Sequence, residues 1–107
     1  MDKWYKTKIT VLHKFGSEDF FNKYVNEEKK LSGMMPFCEK LPDNAEYILE
    51  RPHIPEGFCD WAWSDIHRDV ITIMSGGSFP SIKQDGVQVA CCSDGLRPVA
   101  FLIERIE

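Results

Sequence analysis

No apolar run in the 107-residue chain approaches the ~20 residues that a membrane-spanning helix needs. The first residues, "MDKWYKTK", lack the apolar segment of a secretory signal. The chain is therefore expected in the cytoplasm, where thiols stay reduced, and no membrane partner is expected. Basic excess is also missing: 13 Lys and Arg against 17 Asp and Glu leave a formal net charge of −4. Nucleic-acid binding normally rests on a strong positive balance that displaces counterions. The nearest basic cluster, Lys3, Lys6, Lys8 and Lys14, is interleaved with Ile9, Val11 and Leu12 as a solvated strand face would be. No nucleic-acid partner is expected. Nothing repeats internally, and no segment is of low complexity.

Cysteine is present but unpatterned. Cys38, Cys59, Cys91 and Cys92 include no Cys-x-x-Cys pair, and His13, His53 and His67 fall in three different elements. Structural zinc sites announce themselves by paired close spacings, so no metal and no cofactor are expected. Cys91 and Cys92, adjacent on a strand, point to opposite faces. "SGGS" at 75–78 follows a helix rather than preceding one, so it reads as a helix stop and not as a phosphate cradle.

What is there suits one small globular domain spanning 1–107. Hydrophobic residues make up 43% and charged residues 28%, and thirteen aromatics are spread along the chain. Such a chain buries roughly 60–70% of its unfolded surface without disulfide or metal help. "TKITVLHKF" (7–15) alternates as a strand, with Ile9, Val11, His13 and Phe15 on one side. Ser17 is placed to cap a helix from about Glu18 to Lys30, with Phe20, Phe21, Tyr24 and Val25 as its apolar stripe. A proline-containing loop follows over 31–44, then a short strand in "AEYILE" (45–50). Asp60 reads as the N-cap of a second helix, Trp61 to Ser75, striped by Trp63, Ile66, Val70, Ile73 and Met74. "VQVACC" (87–92) and "VAFLIERI" (99–106) flank "SDGLRP", whose Asp94-Gly95 favours a hairpin turn. The last strand is apolar on both sides and is expected inside the sheet. The expectation is an α+β fold in the order β-α-β-α-β-β: one mixed sheet, two helices on one face and a C-terminal β-hairpin.

"PEGFCDWAW" (55–63), the Gly76-Gly77 pair and "CCSDGLRPV" (91–99) together resemble a family of small uncharacterised prokaryotic proteins of about this length. The resemblance covers roughly residues 6 to 107, with Glu27 to Leu31 as an atypical lysine-rich insertion. It implies a domain boundary and no particular activity.

The candidate binding residues are Cys59, Asp60, Trp61, Cys92, Asp94 and Arg97, with Cys59 the candidate nucleophile. Thiol pKa values fall at helix N-termini, although the neighbouring Asp60 carboxylate acts against that. Flanked by Phe58 and Trp61, Cys59 also reads as a small buried hydrophobe. His67 lies about 12 Å along the helix from Cys59, too far for a hydrogen bond. Trp61 and Trp63 are about 200° apart around a helix, so if Trp63 faces the core, Trp61 is exposed, loop-covered or held by a partner. Arg97 either holds an anion or pairs with Asp94 in its own turn. The expected function is a small cytoplasmic binding or protein-interaction module without catalysis of its own, taking a small-molecule or protein ligand. The alternative is a thiol-dependent enzyme or redox-active protein using Cys59 with Cys91 or Cys92. A surplus of large apolar side chains suggests a homodimer that covers Trp61 or Phe79-Pro80.

Overall fold

Val99, Phe101 and Ile103 alternate along the last strand and point one way, and that face organises the molecule. The computed structural model describes residues 3–107. In chain order its elements are β1 (Thr7–Lys14), α1 (Glu18–Tyr24), α2 (Glu27–Leu31), β2 (Glu46–Leu49), α3 (Asp60–Met74), β3 (Val87–Cys91) and β4 (Val99–Arg105). The strands form one four-stranded sheet in the order β2-β1-β4-β3. As its apolar run requires, β4 lies inside the sheet, with β1 on one side and β3 on the other.

Every pairing is antiparallel, so the mixed sheet expected from the sequence is corrected. The physical reason is the strand order. The crossover through α3 joins β2 to β3, which sit at opposite edges and never pair. Two connections are long enough to make a parallel neighbour, and neither does. The one from β1 returns β2 antiparallel beside it, and the one through α3 carries the chain to the far edge.

α3 covers one face of the sheet. Ala62, Ile66, Val70, Ile73 and Met74 are its buried residues, packed with Ile9, Val11, Leu49, Val99, Phe101 and Ile103. Each of these side chains other than Ala62 contributes roughly 1.5–3 kcal/mol relative to exposure. Trp63, expected in this stripe, is only half-buried, meeting Phe58 edge-to-face at 6.0 Å and lying at a tilt to His67 at 4.9 Å. Ala62 is buried in the core beside it, and Trp63 packs against the core from its edge. Asp60 is the first helical residue and not the cap, a second correction. Cys59 occupies the N-cap and makes no side-chain capping bond, while Asp60 adds its charge to the first turn.

The far end of α3 closes as the Gly76-Gly77 pair leads one to expect. Gly76 has φ +102°, its N–H donates to the Ile73 carbonyl at 3.2 Å, and the Gly77 N–H donates to Thr72 at 2.8 Å. These two bonds are the Schellman pattern. Arg105, reaching across from β4, donates from Nη1 to the Ile73 carbonyl at 2.7 Å and to that of Gly77 at 2.9 Å. α3 carries no basic residue in its own last turn, so this arginine supplies the positive charge its dipole favours.

Two further expectations fail at the start of the chain. β1 is bulged between Val11 and His13: Val11 faces Phe101 but His13 faces Ala100. One inserted residue shifts the alternation, so His13 and Phe15 are exposed and leave the Ile9–Val11 face. The helix expected over 18–30 breaks at Val25, which is extended (φ −83°, ψ 134°). Asn26 then caps a new short helix by accepting from the Lys29 N–H at 2.8 Å. Among the described residues, α3 is the helix that packs on the sheet; α1 buries Phe21 alone and α2 buries no residue. The molecule is drawn out accordingly, 52 × 29 × 20 Å. Among the described residues, no helix is long and apolar enough to cross a membrane.

Candidate functional site

The start of α3 and the turn between β3 and β4 lie at the same end of the sheet, and local chemistry fixes both. Before α3, the Phe58 N–H returns to the Pro55 carbonyl at 3.2 Å around Gly57, whose φ is +81°. A glycine at the third place of a type II turn meets that need. Phe58 is thereby set against Tyr47 at 5.0 Å and Phe101 at 5.4 Å, which anchors the chain immediately before Cys59. In the hairpin turn, Asp94 Oδ1 accepts from the N–H groups of Leu96 at 2.9 Å and Arg97 at 3.0 Å. Aspartate holds such turns because its short side chain mimics a backbone acceptor.

Two bonds tie the hairpin turn to the helix. The Ser93 N–H donates to Asp65 Oδ2 at 2.7 Å, and Trp61 Nε1 donates to Ser93 Oγ at 3.0 Å. Trp61 keeps 60% of its surface exposed even so, which makes it a fixed indole rim. Cys92 is bound into the neck of the hairpin. Its N–H donates to the Val99 carbonyl at 3.0 Å and its Sγ accepts from the Val99 N–H at 3.3 Å.

Between these walls is a cleft of about 100 Å³, lined by Cys38, Lys40, Cys59, Trp61, Ala62, Cys92, Asp94 and Arg97. Five of the six residues singled out in the sequence, Cys59, Trp61, Cys92, Asp94 and Arg97, thus meet on one opening. Asp60 does not; it is exposed on the first turn of α3, outside the lining. Cys91 is on the uncovered face of the sheet, opposite Ala100. Partial desolvation pushes its thiol up first, with Cys92 and Asp65 adding to the effect, so it is a poor nucleophile at neutral pH. Sequence reasoning missed Cys38 and Lys40. The one available signal was Leu41, an aliphatic residue in a polar proline-flanked loop; at 2% exposure it pins that loop to the core and so brings Cys38 and Lys40 over the cleft.

The electrostatics centre on Arg97. Its Nε is buried and has no hydrogen-bond partner. Asp94 Oδ2 stands 3.9 Å away, near enough to neutralise but too far to bond. Nη1 reaches the Met35 carbonyl only at 3.5 Å. With Lys40, the lining holds two cationic groups, one carboxylate in Asp94 and the sulfurs of Cys38, Cys59 and Cys92.

The histidines are engaged elsewhere. His67 Nε2 lies 3.0 Å from the Pro52 carbonyl, His13 packs on Phe15 at 4.5 Å, and neither these nor His53 line the cleft. All four cysteines are free. Among the described residues, no group of three or more His, Cys, Asp or Glu side chains is arranged to hold a metal ion. No protein-family model, curated protein or solved structure matches the chain.

A volume near 100 Å³ is well below the roughly 300–1,000 Å³ of sites that enclose a whole drug-sized ligand. It suits one functional group, such as a carboxylate with a methylene or two behind it.

Proposed function

We propose that the protein is a small binding module whose cleft takes a carboxylate, either an acidic side chain or the end group of a partner or metabolite. The observation that carries this is the buried Arg97 Nε without an acceptor. Leaving a charged donor unsatisfied is costly, and a carboxylate lodged beside it would accept from the guanidinium in the manner that suits an arginine fork. Lys40 adds a second positive charge, the Trp61 indole supplies a flat apolar wall, and Ala62 leaves room at the floor. No step of this reading requires bond making.

Nuclear magnetic resonance titration with acetate, glutarate and a short acidic peptide tests it. Saturable shifts are expected at the Trp61 indole N–H and the Arg97 Nε–H, and Arg97→Gln is expected to weaken binding at least tenfold, since truncating one partner of a buried charge pair costs about 2–5 kcal/mol. Carboxylates that leave both resonances unmoved, or bind Arg97→Gln equally well, would overturn the reading.

A second reading has its own support: Cys38, Cys59 and Cys92 line the same small cleft. That concentration of thiols favours reactivity toward an electrophile. Cys92 Sγ already accepts from the Val99 N–H, whereas Cys59, at the N-cap of α3, makes no capping bond. Mass spectrometry after brief exposure to iodoacetamide at neutral pH separates the two readings. Rapid, selective labelling of Cys59 supports thiol chemistry; uniform slow labelling removes it.

A further inference from the structure

The α1–α2 arm is built unlike the rest of the chain. Seven and five residues are too few for helices that stand alone in water, yet together they bury only Phe21. The other large apolar groups of the segment face outward: Phe20 is 58% exposed, Tyr24 68% and Leu31 86%, and Met35 and Phe37 are exposed beside them. The Cα radius of gyration is 15.5 Å, whereas a compact chain of this length has about 13 Å. The excess matches the drawn-out extents of 52 × 29 × 20 Å.

We propose that this arm is a dimerisation surface and that a second copy of the chain covers it through a two-fold contact. Two features point to a second copy rather than to an unrelated partner. The first is charge. α1 opens with Glu18 and Asp19 and closes with Lys23. Antiparallel pairing of α1 with its own copy sets the acids of each helix opposite the lysine of the other, which is the reciprocity a two-fold axis demands. Phe20 and Tyr24, one turn apart with ring centroids 6.4 Å from each other, then form the seam, Phe20 of each copy against Tyr24 of the other. The second is area. Partly exposed aromatics and aliphatics, at about 150–250 Å² for a whole aromatic side chain, present roughly 600 Å² per copy. Doubled, that reaches the lower bound of about 1,200 Å² for specific interfaces. The α1 seam is built of residues that do not line the cleft, while Met35 and Phe37 border the cleft through Cys38 and the Met35 carbonyl. The dimer contact does not rest on the carboxylate reading. It also differs from the surfaces the sequence suggested: Phe79 packs against its own core, and the Trp61 N–H is satisfied within the chain.

Light scattering coupled to size exclusion, with protein up to about 100 μM to cover weak association, gives the test. The expected mass is twice the 12.4 kDa of the chain. Tyr24→Asp is expected to weaken the dimer roughly 30-fold or more, as central interface aromatics do, with an unchanged circular dichroism spectrum because the side chain is mostly exposed. Lys23→Glu should weaken it as well, and adding Asp19→Lys in the same chain should restore it. A monomer throughout this range overturns the proposal, whether small-angle scattering shows it extended or with the arm folded onto its own sheet. So does a dimer that survives Tyr24→Asp, which would be using another surface.

Discussion

Arg105→Met removes the two bonds that close α3 while keeping most of the side chain's apolar stem. The guanidinium donates at 2.7 and 2.9 Å to the carbonyls of Ile73 and Gly77. Hydrogen bonds to a charged group are worth about 1.5–3 kcal/mol each. Two considerations pull the sum toward the low end. Arg105 is only half-buried, so water replaces part of what is lost, and the Ile73 carbonyl keeps the Gly76 N–H. The expected loss is about 2–3 kcal/mol, or roughly 10–20 °C in Tm at 4–8 °C per kcal/mol for a domain of this size. Urea unfolding should show a lower midpoint at unchanged slope, since the surface exposed on unfolding does not change. Arg105→Lys, with a single ammonium in place of a planar fork, should recover about half of the loss. Raising the salt concentration should leave most of the difference, because a helix-dipole effect is screened while direct bonds are less so. A Tm within about 2 °C of the parent, under 0.5 kcal/mol by the same conversion, would refute the view that this arginine caps the helix.

Ile66→Ala opens the centre of the core, where Ile66 is fully buried; a loss of about 2–5 kcal/mol is expected, and denaturant melts reading under 1 kcal/mol would contradict the packing. Burial, aided by Cys92 and Asp65, raises the Cys91 thiol above its ordinary pKa. The resulting stabilisation is present below the ordinary thiol range and is lost as the pH rises through the elevated value, so its loss belongs to the alkaline side. Cys91 should therefore alkylate more slowly at pH 8 than cysteine in an unstructured peptide, despite its exposure; equal rates, followed by mass spectrometry, would count against it.

Much of the fold could be read from residue patterns, and the failures have specific causes. α3 and β4 were legible because their periodicities are long and each buries a full face. The Leu12 bulge was not, since Ile9, Val11, His13 and Phe15 alternate without a visible break and only pairing with β4 reveals the shift. Nor was the break at Val25: the Phe20–Val25 stripe implied a buried helix, whereas the segment has little of its own chain to pack on and Asn26 can cap anew. Strand order depends on long-range pairing that no local pattern encodes. In the cleft, the helix start and the Asp94 turn were visible separately. Their meeting with Cys38 and Lys40 needed the anchoring of Leu41, which stands in a loop without periodicity.

The pairing of β1 with β4 also sets the order of events when the chain folds. Thr7 faces Arg105 and Ile9 faces Ile103 across the middle of the sheet, partners more than ninety positions apart. At ribosomal speeds of about 5–20 residues per second, β1 waits on the order of 5–20 s for its central neighbour, with only β2 to pair in the interval. Such non-local closure places folding among the slower topologies, in the range of roughly milliseconds to seconds once the chain is free. Because β4 also delivers Arg105, the C-terminal turn of α3 has only its local Gly76-Gly77 bonds, and no positive charge, until that strand docks. Helix end and sheet centre should therefore gain protection from hydrogen exchange in the same step.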